Sequence, residues 1–120
     1  MSVVLAVALA MGAAQAAPAV PEITKPSWAQ TPTAEQLAFF YPSAGIHAGR
    51  PTGRGTMACD VDAKGRLENC SIYQEDPPGL GFGEAALKVA KYFQMAPKDS
   101  AGRSVAGGRV IIPIVFRAPR

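Results

Sequence analysis

Two cysteines eleven residues apart, Cys59 and Cys70, constrain this chain more than any other feature. Between them lies Asp62-Ala63-Lys64-Gly65-Arg66, a stretch with the composition of a three- to five-residue hairpin loop, in which Gly65 supplies the left-handed residue. On the N-terminal side the residues alternate, so Met57, Cys59 and Val61 share one face of a strand. On the return, Leu67 to Tyr73, Cys70 and Ile72 share a face. A loop centred on Lys64-Gly65 sets Cys59 against Cys70 on the same side of the sheet. Opposed strand residues have about the Cα separation that a disulfide needs. Closing so short a loop stabilises a fold by about 3 kcal/mol in the chain-entropy model. No CxxC motif accompanies the pair, so the expectation is a structural Cys59–Cys70 bond rather than a reactive thiol.

The hairpin is followed by a breaker, Glu75-Asp76-Pro77-Pro78-Gly79, and then by an amphipathic stretch predicted as a helix over Gly83 to Met95. Phe82, Ala86, Val89, Ala90 and Phe93 recur at spacings of three and four and form its apolar stripe. Glu84, Lys88, Lys91 and Gln94 take the other side, with Glu84 and Lys88 at pairing distance along the helix. Pro97 ends the stretch, a Gly/Ser loop covers residues 99–108, and Val110 to Phe116 reads as a last strand. That strand is apolar on both faces, and Pro113 within it argues for an edge position or a bulge.

The N-terminal third is of another character. No charged residue occurs from Met1 to Pro21, and the run Val3 to Ala10 is followed by Ala14-Gln15-Ala16. An apolar run ending in an A-x-A pattern is the mark of a secretory signal peptide, expected here over residues 1–16, with a retained inner-membrane anchor as the alternative. An exported chain would also meet an oxidising compartment, in keeping with one disulfide. Residues 17–40 read as a Pro-rich linker and a short helix. Prolines 18, 21, 26 and 32 favour extended backbone, and Trp28 is expected to pin the linker to the domain. Thr33 and Gln36 have capping-box spacing for a helix over Thr33 to Tyr41 that Pro42 stops, and residues 43–55 read as loop. Charge is uneven: residues 17–78 carry five basic and seven acidic groups, residues 79–120 seven basic and two acidic.

No pattern of catalytic chemistry emerges. His47 is the lone histidine, and two cysteines with one histidine lack the paired spacing of a zinc site. Glu75 and Asp76 are adjacent and point apart in a strand, unlike an acid/base pair. Gly79-Leu80-Gly81-Phe82-Gly83 lacks the Lys-Ser/Thr of a phosphate loop and departs from GxGxxG, so it reads as a helix entry. Tyr73, Tyr92 and the arginines form no aromatic-and-basic strand motif for nucleic acid. No catalytic residue, metal or cofactor is expected.

Taken in order, Tyr41-Pro42-x-Ala44, the hairpin C-x-V-D-A-x-G-R-L-x-x-C, the helix entry Pro78-Gly79-x-Gly81-Phe82-Gly83-x-Ala85-Ala86-Leu87, Met95-x-Pro97, Gly102-Arg103-x-Val105 and the closing V-I-I-P-I-x-F resemble the C-terminal domain of TonB family proteins, over residues 41–118. Cysteine-containing members from alphaproteobacteria are the nearest in pattern. The resemblance implies an α+β fold of β-β-α-β order: a three-stranded antiparallel sheet with one helix on a face, here preceded by a short N-terminal helix. It implies binding to outer-membrane TonB-dependent transporters, by addition of a receptor segment along the last strand: Val110, Ile111, Ile112, Pro113, Ile114, Val115 and Phe116. It implies a periplasmic place and, indirectly, the ExbB–ExbD inner-membrane complex. A full energy transducer of the family has a transmembrane histidine and a long Pro-rich spacer, whereas no histidine precedes His47 here and the linker is short. A second copy of the chain is a further candidate partner. A cell-envelope scaffold or adaptor that binds another periplasmic protein or peptidoglycan is the alternative function, and a small periplasmic enzyme the third.

Overall fold

A computed structural model describes residues 20–119, so the expected signal segment over 1–16 lies outside the described residues. The elements are β1 (Trp28–Gln30), α1 (Ala34–Phe39), α2 (Ser43–His47), β2 (Gly53–Val61), β3 (Leu67–Asp76), α3 (Phe82–Val89) with a 3-10 turn (Ala90–Tyr92), β4 (Gln94–Met95) and β5 (Arg109–Phe116). The main sheet is antiparallel in the order β3–β2–β5, with β2 in the centre. The expected α+β fold with a three-stranded antiparallel sheet is what the chain adopts.

The hairpin forms as its sequence dictates. Gly65 takes a φ of 81°, its N–H donates to the Asp62 carbonyl, and the Asp62 N–H donates to the Arg66 carbonyl. Met57, Cys59 and Val61 all turn to the buried side. The return strand is less regular than alternation alone predicts. Ala58 pairs with Ser71 and Asp60 with Glu68, so Asn69 and Cys70 together oppose Cys59. Asn69 absorbs the extra residue with a φ of 51°, a left-handed conformation that Asn tolerates. The bulge turns Cys70 toward Cys59, and the two are joined in a disulfide with Cα atoms 4.1 Å apart.

Helix α3 crosses the sheet on the face of Met57, Cys59 and Val61. Phe82, Ala85, Ala86 and Val89 are buried, matching the apolar stripe at its N-terminal end. Gly55 lies against the Phe82 backbone and Gly53 against the Phe82 ring, so neither position has room for a Cβ. The missing side chains let the helix sit close on the central strand. Glu75, at the end of β3, accepts the Gly83 N–H at 2.9 Å and the Gly79 N–H at 3.3 Å, thereby capping the first turn of α3 from outside the helix.

The helix ends earlier than its periodicity predicts. After the 3-10 turn, Phe93 is extended, which puts Met95 in the core and Phe93 beside Trp28, ring centroids 5.1 Å apart. Gln94–Met95 pairs antiparallel with Trp28–Gln30, so the proline-rich segment contributes a strand rather than only an extended linker. The pairing accompanies the change: leaving the helix at Phe93 brings its ring against that of Trp28, and both are half-buried on the core. The Glu84–Lys88 pair is not formed; the ion pairs among the described residues are Asp62–Arg66 and Asp99–Arg103. The residue 43–55 stretch also differs from expectation, since Pro42 starts helix α2 instead of only stopping α1. Its carbonyl accepts the N–H groups of Gly45 and Ile46, a position where the missing proline N–H costs nothing. The Thr33–Gln36 capping box is present as expected.

Two substitutions test this account. Gly55→Ala places a methyl against the Phe82 backbone and is expected to cost about 1–3 kcal/mol, read as a lower urea midpoint with unchanged slope. Cys59→Ser is expected to cost about 2–5 kcal/mol. Two free thiols in the unreduced, denatured protein would contradict the bond on which that figure rests.

Candidate functional site

Strand β5 is an edge strand, as Pro113 predicts, and it forms no bulge: eight consecutive residues, from Arg109 to Phe116, pair with Asp60 to Gly53 without a shift. Its side chains divide by parity. Val110, Ile112, Ile114 and Phe116 are buried beneath α3, while Arg109, Pro113 and Val115 are exposed and Ile111 is half-buried on the opposite face. The strand is therefore covered by α3 on one face, while its other face is exposed or half-buried.

Which backbone groups face outward follows from one contact. The Arg109 N–H donates to the Pro21 carbonyl at 2.9 Å, and the Ile23 N–H donates to the Arg109 carbonyl at 2.7 Å. Arg109 thus turns its backbone away from β2, and alternation gives Ile111, Pro113 and Val115 the same orientation. From Ile111 to Phe116, no backbone group among the described residues bonds to this outer edge. Pro113, having no N–H, removes its donor from the outer side and leaves the β2 ladder complete. The free edge offers the N–H groups of Ile111 and Val115 and the carbonyls of Ile111, Pro113 and Val115.

Both ends of this edge are flanked. At the Arg109 end, a cavity of about 270 Å³ is lined by Val20, Glu22, Tyr73, Arg109 and Ile111. At the other, one of about 140 Å³ lies between Ala34, Leu37 and Ala38 of α1 and Val115 and Arg117. Tyr41 anchors the segment preceding β2: its hydroxyl donates to the Pro51 carbonyl at 2.6 Å and its ring meets Phe82 at 5.5 Å. A larger cavity of about 350 Å³, between α2 and the start of α3, is lined by Phe40, Leu80, Glu84 and Lys88 among others and lies away from the edge. His47 ends α2 exposed to solvent, and Cys59 and Cys70 are bound to each other. Among the described residues no three His, Cys, Asp or Glu side chains converge, and no helix is long and apolar enough to cross a membrane.

The model of the Gram-negative bacterial TonB protein C-terminal family matches residues 38–118. A protein of Caulobacter vibrioides with no described activity is 33% identical over 61 residues, which is 51% of this chain and 61% of that protein. The chain thus spans less than two thirds of that relative. The solution structure of the Pseudomonas aeruginosa TonB C-terminal domain superposes with a TM-score of 0.52 at 12% identity, covering 82% of this chain and 91% of that one. A TonB2 protein of Vibrio anguillarum gives 0.45 at 16% identity over 85% and 83%. The chain belongs to the TonB C-terminal domain family, a family associated with TonB-dependent transport.

One device went unread in the sequence although its signal is there: D-x-x-G-R occurs twice, at Asp62–Arg66 and Asp99–Arg103. In each copy the Asp carboxylate accepts the backbone N–H of the residue two on and of the Arg four on. The same Arg guanidinium returns to it, at 3.0 Å in the first and 3.4 Å in the second. Gly65 and Gly102 take nearly the same left-handed φ, 81° and 80°. Both carboxyls are held below the ordinary value of 3.8, first by the backbone N–H of Arg66 or Arg103. A depressed folded value means stabilisation that is present above the unfolded carboxylate range and lost as pH falls through the folded one. Stability is expected to be level above about pH 5 and to fall below about pH 4. The double variant Asp62→Asn, Asp99→Asn keeps the acceptors and should show a shallower acid decline in urea midpoints; an unchanged decline would remove these turns as its cause.

Proposed function

We propose that this chain is a periplasmic protein-binding domain whose last strand receives a short extended segment of an outer-membrane transporter as an added strand. Family membership supports the class of partner, and the disulfide suits an oxidising compartment. The observation that carries the reading is the free outer edge of β5 from Ile111 to Val115, regular in register and already taking an extended segment at Arg109, where residues 21–23 pair alongside it. In strand addition the backbone bonds supply affinity and alternate side-chain pockets supply specificity. Ile111 and Val115 donate, the carbonyls of Ile111, Pro113 and Val115 accept, and the flanking cavities take side chains of the incoming segment. Residues 1–16 are removed on export in this reading, residues 17–40 lead into the domain, and residues 41–118 form it. Any coupling to the ExbB–ExbD complex is indirect, through partners that this chain meets in the periplasm.

The outward orientation of the odd-numbered amides makes the test selective. Ile111→Pro and Val115→Pro each delete an outward donor without touching the β2 ladder, and Pro113 shows that this edge accommodates the ring. Each is expected to weaken binding of a peptide from the organism's own outer-membrane transporters by about three- to tenfold, the worth of one hydrogen bond. Pro113→Val restores a donor and is expected to tighten binding by a similar factor. Lys88→Gln and Lys91→Gln should leave the affinity nearly unchanged. Titration calorimetry reads all five variants, with circular dichroism confirming the fold. Equal affinity in wild type and both folded proline variants would defeat the docking-strand reading.

A further inference from the structure

All five lysines of the chain, Lys25, Lys64, Lys88, Lys91 and Lys98, are exposed and lie on segments that the small β1–β4 ribbon ties together. The Lys64 carbonyl accepts from the Gln94 side chain at 3.2 Å. The Lys25 carbonyl accepts from the Ser100 N–H, and the Ser27 carbonyl from the Ala96 N–H on either side of Lys98. Lys88 lies in the last turn of α3, and Lys91 follows it in the 3-10 turn that leads to β4. The acids nearest by position do not offset these charges, because Asp62 and Asp99 are each engaged by their own arginine. Glu84 stands one turn before Lys88 and lines the same cavity, and Glu35 stands one turn before Phe39, so the five lysines outnumber these two acids.

The same end of the molecule carries a run of partly exposed aromatic rings. Phe39 is 81% exposed, the most exposed large apolar side chain described, and it stands edge-on to Phe40 at 5.0 Å. Phe40 meets Tyr92 at 6.1 Å, and the Lys91 ammonium lies over both rings, 5.7 Å and 5.3 Å from their centroids. Trp28 and Phe93 form a second pair of half-buried rings at the ribbon. Exposed rings interleaved with lysines fit the boundary between headgroups and acyl chains: the rings enter the interface and the ammonium groups meet anionic headgroups. Long lysine stems let the charges stay at headgroup level while the rings descend.

We propose that this lysine-aromatic end is a docking surface for an anionic phospholipid bilayer, centred on Phe39 and Lys91 and distinct from the β5 edge. The domain rests on a membrane by this end while the strand edge stays free for a protein segment. Binding is peripheral and salt-sensitive, since no single ring or charge suffices to anchor a protein.

The test uses the protein recovered from the periplasm and vesicles of phosphatidylglycerol with phosphatidylcholine, against phosphatidylcholine alone. The difference between the two vesicle types removes any contribution of apolar sequence elsewhere in the chain. Co-sedimentation is expected with the anionic vesicles at low salt, with release as salt rises. Trp28, the one tryptophan, reports directly by a blue shift of its emission on binding. Lys91→Gln and Phe39→Ser are each expected to weaken vesicle binding about fivefold, whereas Pro113→Val leaves it unchanged. Equal binding to neutral and anionic vesicles, no binding to either, or full retention of binding by both the Phe39 and Lys91 variants would overturn the proposal. None of these results bears on the peptide titrations, so the two readings stand or fall separately.

Discussion

The close seat of Phe82 on the central strand is the contact from which the rest of the structure follows. Its ring lies over Gly53 and packs against the rings of Tyr41 and Phe116, and its backbone lies beside Gly55. One side chain thereby joins the first helix pair, the helix that covers the sheet, and both β2 and β5. The seat depends on two absent side chains as much as on the ring that is present. A helix held off by even one methyl on each glycine would open voids around Val89 and Met95, and interiors this small have no second core to compensate. Glu75 completes the arrangement by capping the same helix from the end of β3, so the hairpin sets the start of the helix as well as its underside.

The two sheet edges are treated differently. The outer strand β3 carries Glu68, Asn69, Ser71, Gln74 and Asp76, and its ladder is interrupted twice. Charge and bulges are the usual means by which an edge is made unattractive to other strands. Strand β5 has the opposite character, with a regular ladder and apolar residues on both faces. Pro113 thins its outer row of donors without ending it.

The disulfide and the repeated D-x-x-G-R turns hold the irregular stretches of the chain. Cys59 is fully buried, and the bond joins the central strand to its bulged neighbour at the place where the hydrogen-bond ladder is broken. The covalent link thus stands at one of the two interruptions of the β2–β3 ladder. The two Asp-centred turns satisfy backbone N–H groups within loops that have few other partners, and the second delivers Val105 to the core from what composition alone describes as a glycine-rich loop.

Local chemistry determined much of this before any tertiary contact. Alternation around Gly65 set the hairpin and the cysteine pairing, the spacing of Phe82, Ala86 and Val89 set the covering helix, Thr33 and Gln36 set the cap of the first helix, and Pro113 marked an edge. These signals act over a few residues, so the sequence carries them whole. The end of α3 at Val89, the strand made by Trp28–Gln30, the helix after Pro42 and the bulge at Asn69 were decided elsewhere. The first two are choices between locally acceptable conformations settled by a distant pairing, Trp28–Gln30 with Gln94–Met95, whereas the helix after Pro42 and the bulge at Asn69 answer to nearer neighbours, Tyr41 beside Gly45 and Cys59 bonded to Cys70. The candidate edge shows the same division. That β5 lies at an edge is legible in a proline, and so is the phase of its amides, since a proline turned toward β2 would cost a ladder bond; what covers the edge is not legible. Only the tertiary structure decided that residues 21–23, more than eighty positions earlier, cover this edge at Arg109 and leave Ile111 and Val115 open.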